Sequence, residues 1–258
     1  MQFTESDVPY WCTVFVSAFG TWLIFRMVPL VLGRFIVSSR YNSLPLGEQR
    51  KVQKCTASLC AALVEGAISG YIFFFRSDIG PELVRYDCSL LRHNVGIFLG
   101  YTIADTLLLL LTPEFTGVND LLLHHAASLF SGYAGLTYAI FPYYINLYLL
   151  MEISNPWLNL RVILDVMGYK RSNLYVLNSV VWTVAFFLSR IVTIPLFWYN
   201  VVVYASRTLF QQEAAIVLTG MVLMPIFNVM NVFWFVKILL GARAILKDRQ
   251  QSMCVGKA

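Results

Sequence analysis

Charge is what this chain of 258 residues has least of: 13% of its residues are charged, where soluble domains run at about 25%. Hydrophobic residues make up 58%, against about 45–50% in soluble domains. A single soluble core cannot absorb that excess, so an ordinary globular domain is excluded. The net charge of +5 is small and confined to loops, which excludes a nucleic-acid surface. There is no Gly-rich phosphate loop, no Gly-X-Ser-X-Gly elbow and no His-Glu-X-X-His. The cysteines, Cys12, Cys55, Cys60, Cys88 and Cys254, match no zinc or redox spacing, and no metal site is expected. Cys12 and Cys88 fall towards one side of the membrane, where an oxidising compartment would permit a disulfide. No Asn-X-Ser/Thr sequon occurs, so glycosylation gives no help with topology.

What is present is a series of long apolar runs. A bilayer core needs roughly 20 apolar residues per helix. Seven segments answer to this: 8–32, 55–75, 94–111, 121–140, 143–160, 174–204 and 214–240. The third, fourth and fifth are the short ones. The first has no basic region before it and no cleavage site after it, so it reads as a retained helix. Arg34, Arg40, Arg50, Lys51 and Lys54 follow the first segment; Arg161, Lys170 and Arg171 follow the fifth; Arg243, Lys247, Arg249 and Lys257 follow the seventh. If all seven cross, these basic regions share one side, which the positive-inside rule makes cytosolic. The N-terminus is then lumenal or extracellular. Segments two to four and five to seven form two units of opposite direction around a midplane, a geometry without a sequence repeat behind it. The expected class is an all-α polytopic membrane protein.

Ionisable groups inside such segments are costly and face the bundle interior. Asp105 lies about 9 Å from one end of the third segment at 1.5 Å per residue. His124 and His125 lie at similar depth in the fourth. An aspartate beside an imidazole fixes its tautomer and raises its basicity; the plainer alternative is polar residues reaching headgroups. Neighbouring helical residues point about 100° apart, so the two histidines do not share one job. His124, Ser128, Ser131 and Gly135 form one small and polar face, read equally as close packing or as a cavity lining. Tyr148, Glu152, Asn155 and Asn159 form a second. Pro156 removes the hydrogen bond to the Glu152 carbonyl, leaving an acceptor beside a carboxylate at membrane depth. Arg190, in the sixth segment, needs a counter-charge from Glu152, Asp105 or Glu65; a purely structural pair is the alternative. Asn228 and Asn231 share a face of the seventh and read as interhelical hydrogen-bonding groups. Arg26 and Lys237 read as snorkelling side chains. Phe73, Phe74, Phe75, Tyr143, Tyr144 and Trp198 read as interface anchors.

Two stretches carry a resemblance. His124-His125 after an acidic loop, then Glu152-Ile-Ser154-Asn155-Pro156-Trp-Leu-Asn159-Leu-Arg161, resemble the TLC domain. Ceramide synthases, the translocating-chain-associated membrane protein and a ceroid-lipofuscinosis protein share that domain. Asn42-Ser43-Leu44, Gly100-Tyr101-Thr-Ile-Ala-Asp105, Arg190-Ile191 and Asn231-Val-Phe-Trp234 extend the resemblance to the TLC domain-containing protein 4 branch. It implies a six-helix barrel plus one N-terminal helix. The divisions are then residues 1–41 for that helix and the start of a basic loop, 42–241 for the TLC domain, and 242–258 for a basic tail. It also implies a lipid-related role in the endoplasmic reticulum or connected membranes. Ceramide synthases transfer an acyl group from coenzyme A to a sphingoid base near their histidine pair. They carry a further His-Asp and Asp ahead of the glutamate. Aligned on Glu152, those positions are Tyr144, Ile145 and Tyr148 here, so two acids and a histidine are missing.

Three readings follow. In the first, the protein binds a membrane lipid or fatty-acyl chain and contributes to lipid homeostasis, without a cofactor. Ser128, Tyr148, Glu152, Asn155, Asn159, Arg190, Asn228 and Asn231 then line its cavity. In the second it is an acyltransferase with acyl-coenzyme A as substrate, His124 or His125 as base or nucleophile and Asp105 as orienter. In the third it is a cargo or translocon partner without small-molecule chemistry.

Overall fold

The computed structural model describes residues 7–36, 38–112, 118–205 and 222–255, with backbone alone for 35, 36, 38, 205 and 244–255. The described residues form helices joined by short turns and by a longer loop at 76–88, with one isolated bridge between Arg85 and Ile140. In chain order the α-helices are α1 (Val8–Val31), α2 (Ser38–Asn42), α3 (Leu46–Phe75), α4 (Ser89–Leu111), α5 (Asn119–Tyr138), α6 (Pro142–Leu150), α7 (Asn155–Val166), α8 (Asn173–Phe186), α9 (Thr193–Asn200) and α10 (Met224–Val255). Five stretches of the described residues are long and apolar enough to cross a membrane: Val8–Arg34, Leu46–Phe75, Ser89–Leu111, Asn173–Tyr204 and Met224–Arg243. The protein is therefore an all-α, multi-pass membrane protein. The start of the expected seventh segment, 214–221, lies outside the described residues.

The N-terminal helix is tightly joined to the rest. It crosses α4 at Gly96 and Gly100, one turn apart. A Cβ at position 100 would sit 2.2 Å from the Val14 carbonyl oxygen, and one at position 96 would sit 3.1 Å from that of Tyr10. Small residues at this spacing let two backbones meet. Ser17 uses the proximity to donate to the Ile97 carbonyl at 2.7 Å.

Helix α4 starts earlier than the apolar run at 94 implies, because Arg92 and His93 belong to it. Arg92 is buried. It donates to the Leu136 carbonyl and pairs with Asp7 at 2.7 Å and Asp87 at 3.1 Å. Its guanidinium also lies 4.0 Å from the Tyr10 ring centroid. His93 Nδ1 lies 2.8 Å from the Thr13 hydroxyl. With these partners, residues that read as loop are accommodated in a helix of 23 residues.

The expected fifth segment, 143–160, is not one helix. A 3-10 turn at Met151–Ser154 separates α6 from α7, with Pro156 in the first turn of α7. Proline fits there because an N–H in the first turn has no intrahelical acceptor. The Glu152 carbonyl is not left unpaired: the tighter turn lets the Asn155 N–H reach it. The sixth segment bends through a π-helical turn, Phe187–Ile191, which contains Arg190.

The corner between α5 and α6 places two non-glycine residues, Ala139 and Phe141, at φ 49°. Such backbone costs about 1–3 kcal/mol per residue. Against that, the Phe141 N–H donates to Val84 at 2.8 Å, the Tyr86 N–H donates to Ala139 at 3.2 Å, and Ile140 and Phe141 are buried. In the loop between α3 and α4, which supplies Val84 and Tyr86, Arg76 grips Asp78 through two nitrogens, at 2.7 and 2.6 Å, and the Tyr86 hydroxyl donates to it at 2.6 Å. The Arg76 hydrogen bonds and the Tyr86 hydroxyl hold the Asp78 carboxyl well below the usual carboxylate range. The Cys12 and Cys88 thiols are free and form no disulfide. Phe74 and Phe75 are exposed, as anchors should be, but Tyr144 is buried and donates to the Pro81 carbonyl.

Candidate functional site

Polar side chains from α3, α4, α5, α7, α8, the π turn and α10 converge on a cavity of about 470 Å³. A second, mostly apolar cavity of about 60 Å³ adjoins it and shares Phe98, His124, Ser128, Glu152 and Arg190 as walls. Its other walls include Val95, Ile145, Leu149, Met151, Met224 and Phe227. The pair thus grades from a charged chamber into an apolar end.

Arg190 anchors the boundary between them. The π turn carries its guanidinium to the break between α6 and α7. There it donates to Ser154 Oγ at 3.0 Å, Asn155 Oδ1 at 3.1 Å and Asn231 Oδ1 at 3.1 Å. Glu152 Oε1 lies 3.6 Å from its Nη2. The Asn155 amide donates to the other Glu152 oxygen. Glu152, Ser154, Arg190 and Asn231 are buried. Buried charges persist only when paired and hydrogen-bonded, and the broken helix supplies both conditions. Asn159 donates to the Asn155 carbonyl at 3.0 Å, so Glu152, Asn155 and Asn159 of the second polar stripe are connected, while Tyr148 bonds to Asn228 instead.

A second cluster surrounds Asp105. Its carboxylate meets Lys54 Nζ at 2.8 Å, the Ser58 hydroxyl at 3.3 Å and His125 Nε2 at 3.5 Å. Thr106 Oγ1 lies 3.0 Å from the opposite ring nitrogen of His125. This is the geometry of an oriented imidazole, a carboxylate on one nitrogen and a hydroxyl on the other. His124 has other surroundings. Its ring stands edge-on to Phe227 and Trp234, with centroids 5.4 and 5.2 Å away, and its Nδ1 has no hydrogen-bond partner among the described residues. Adjacent positions on α5 thus give the two histidines different environments.

Of the residues the sequence singled out, Asp105, His124, His125, Ser128, Glu152, Asn155, Asn159 and Arg190 line the larger cavity. Tyr148 and Asn231 line the smaller one, with Ser131 beside them. Asn228 lines neither; its Oδ1 accepts from the Tyr148 hydroxyl at 2.9 Å. Gly135 instead packs against Ile145.

Other chamber residues were given no cavity role by the sequence. Lys54 counted as loop charge, yet it lies two turns inside α3. Lys237 is not only a snorkelling side chain: with Trp234 it reaches Asp120, at 3.4 and 3.1 Å. Tyr101, Trp182 and Arg161 also face the chamber. Glu65 is fully buried, with no hydrogen-bond donor to either carboxylate oxygen among the described residues. The sequence signal for Lys54 was its position nine residues after Pro45; Trp234 fell in the Asn231-to-Trp234 stretch of the resemblance, and for Trp182 there was only its aromaticity.

The family model TRAM_LAG1_CLN8, the TLC domain, matches residues 51–240. TLC domain-containing protein 4 of Homo sapiens is 30% identical over 217 residues, 83% of this chain and 82% of its own length. TLC domain-containing protein 4-B of Danio rerio is 30% identical over 237 residues, 90% of this chain and 89% of its own. TLC domain-containing protein 4 of Xenopus tropicalis is 29% identical over 243 residues, 93% of each. The match spans the helices that build the chamber, and the chain belongs to the TLC domain family.

Proposed function

We propose that this protein holds a membrane lipid or fatty-acyl chain inside its TLC domain and contributes to lipid homeostasis. The observation that carries the reading is the chamber of about 470 Å³, with a smaller apolar cavity against it that shares Phe98, His124, Ser128, Glu152 and Arg190 as walls. Small-molecule sites occupy about 300–1,000 Å³ and combine apolar walls with a few placed polar groups. In this reading seven crossings build the domain, with residues 42–241 as a six-helix barrel. The basic loops face the cytosol, and the membrane is the endoplasmic reticulum or one connected to it. Mass spectrometry of lipids released from gently purified protein tests the reading. A co-purifying lipid in near-stoichiometric amount, reduced when Met151→Trp fills the apolar end, supports it. A folded preparation holding no lipid contradicts it.

One observation favours a second reading, acyl transfer: the Asp105–His125–Thr106 arrangement facing the chamber. The positions at which ceramide synthases carry extra ionisable groups are Tyr144, Ile145 and Tyr148. Here they pack in the interior or bond to Asn228. Proton transfer needs groups that titrate near the working pH, and those positions supply none. The expected assay result is no ceramide from a sphingoid base and acyl-coenzyme A. Product above a membrane-only control, abolished by His125→Ala, would make the enzyme reading the leading one.

A further inference from the structure

Among the described residues, four cations and three carboxylates line the chamber: Lys54, Arg161, Arg190 and Lys237 against Asp105, Asp120 and Glu152. The pairing is one to one except for Arg161. Lys54 meets Asp105 at 2.8 Å, Arg190 meets Glu152 at 3.6 Å and Lys237 meets Asp120 at 3.4 Å. Among the described residues no carboxylate and no hydrogen-bond acceptor engages Arg161. Instead its guanidinium lies 5.2 Å from the ring centroids of both Tyr175 and Trp182. Trp182 adds a second unspent donor. Its indole N–H is buried and has no acceptor among the described residues, and the side chain lines the same chamber.

A half-buried guanidinium without a counter-ion is costly, as is a buried N–H without an acceptor. An oxyanion satisfies both at once. Guanidinium offers a planar fork that matches phosphate or carboxylate oxygens, and such charge-assisted bonds are the strong ones. We infer that Arg161 and Trp182 form an oxyanion-binding corner, and that the chamber takes a phosphate-bearing ligand whose apolar part extends towards Phe98 and Phe227. This rests on the lipid-binding reading and narrows it: a neutral glyceride leaves the corner unmatched and an acidic lipid does not. Asp120 and Glu152 would repel a ligand placed elsewhere in the chamber, so the anion is steered to the Arg161 side.

The test uses full-length protein in mixed micelles with dioleoyl phosphatidic acid and dioleoylglycerol, read by native mass spectrometry. The wild type should retain the phosphatidic acid roughly tenfold or more over the glyceride, the scale of one charge-assisted hydrogen bond. Arg161→Gln should abolish that preference while both lipids still bind. Arg161→Lys should keep part of it, and Lys51→Gln, near the start of α3 and outside the chamber lining, should leave it intact. Trp182→Phe should lower it several-fold and carries the test if Arg161→Gln does not fold. Free coenzyme A is added as a soluble phosphate carrier. Displacement that requires Arg161 assigns the corner to a soluble phosphate group, and no displacement assigns it to a lipid headgroup. Equal retention of the two lipids by the wild type, or a preference unchanged in Arg161→Gln, overturns the inference alone. Retention of neither lipid removes the lipid-binding reading itself.

Discussion

Replacing Glu152 by Gln removes one charge from the most deeply bonded cluster of the molecule while keeping its shape. Glu152 Oε1 lies 3.6 Å from the Arg190 guanidinium. At an effective dielectric constant near 20, unit charges at that distance attract by about 4–5 kcal/mol. Gln keeps an oxygen to accept from Asn155, and Arg190 keeps its hydrogen bonds to Ser154, Asn155 and Asn231. These bonds soften the loss, so the expected cost lies at the low end of the roughly 3–5 kcal/mol found when one partner of a buried pair is removed. Arg190→Met should cost as much or more, because it strands the Glu152 carboxylate. The double variant removes both charges together and should be less damaged than the two single costs added, with a coupling of about 2–3 kcal/mol. The assay is thermal unfolding of the four proteins in one detergent, followed by tryptophan fluorescence. Additive costs, or a neutral Glu152→Gln, would refute the claim that this pair holds the broken helix against the π turn.

Gly100→Leu should detach α1 from α4, since even a Cβ there would lie 2.2 Å from the Val14 carbonyl oxygen. Gly20→Leu, with no neighbour within 4 Å, is the control, and protease access to α1 reads the difference. Glu65→Leu should raise thermal stability by about 1–3 kcal/mol, the desolvation cost of a buried group without a partner; a destabilised variant would show that Glu65 has a use its surroundings do not reveal. A tag before Met1 should be lumenal or extracellular and a tag after Ala258 cytosolic under selective permeabilisation. Finding both on one side would remove the seven-crossing arrangement.

The helical class was legible because apolar runs of membrane length need no tertiary information. The polar interior was legible for the same reason. Asp105, Glu152 and Arg190 stand out wherever lipid is the alternative solvent. Other features were hidden for identifiable reasons. Arg92 read as loop because its partners, Asp7 and the Leu136 carbonyl, lie far away in sequence. Lys54 read as surface charge because its carboxylate, Asp105, lies on another helix. Pro156 announced a break in the helix. That a 3-10 turn would re-pair the Glu152 carbonyl with the Asn155 N–H depends on how Gly66 lets α3 approach Ile153, which local sequence does not specify. The different surroundings of His124 and His125 followed from their 100° offset on one helix. The identity of those surroundings did not.

The measurement that bears most directly on lipid binding within the helical domain is photolabelling with a fatty-acyl lipid carrying a diazirine at the chain terminus, with adducts mapped by peptide mass spectrometry. A chain held inside should label the walls of the apolar end, Phe98, Met151, Met224 and Phe227, and excess unlabelled lipid should suppress the adducts. Labelling confined to exposed apolar residues such as Phe15, Phe19, Leu110 and Leu111, unaffected by competitor, would place the lipid only around the protein and contradict the account.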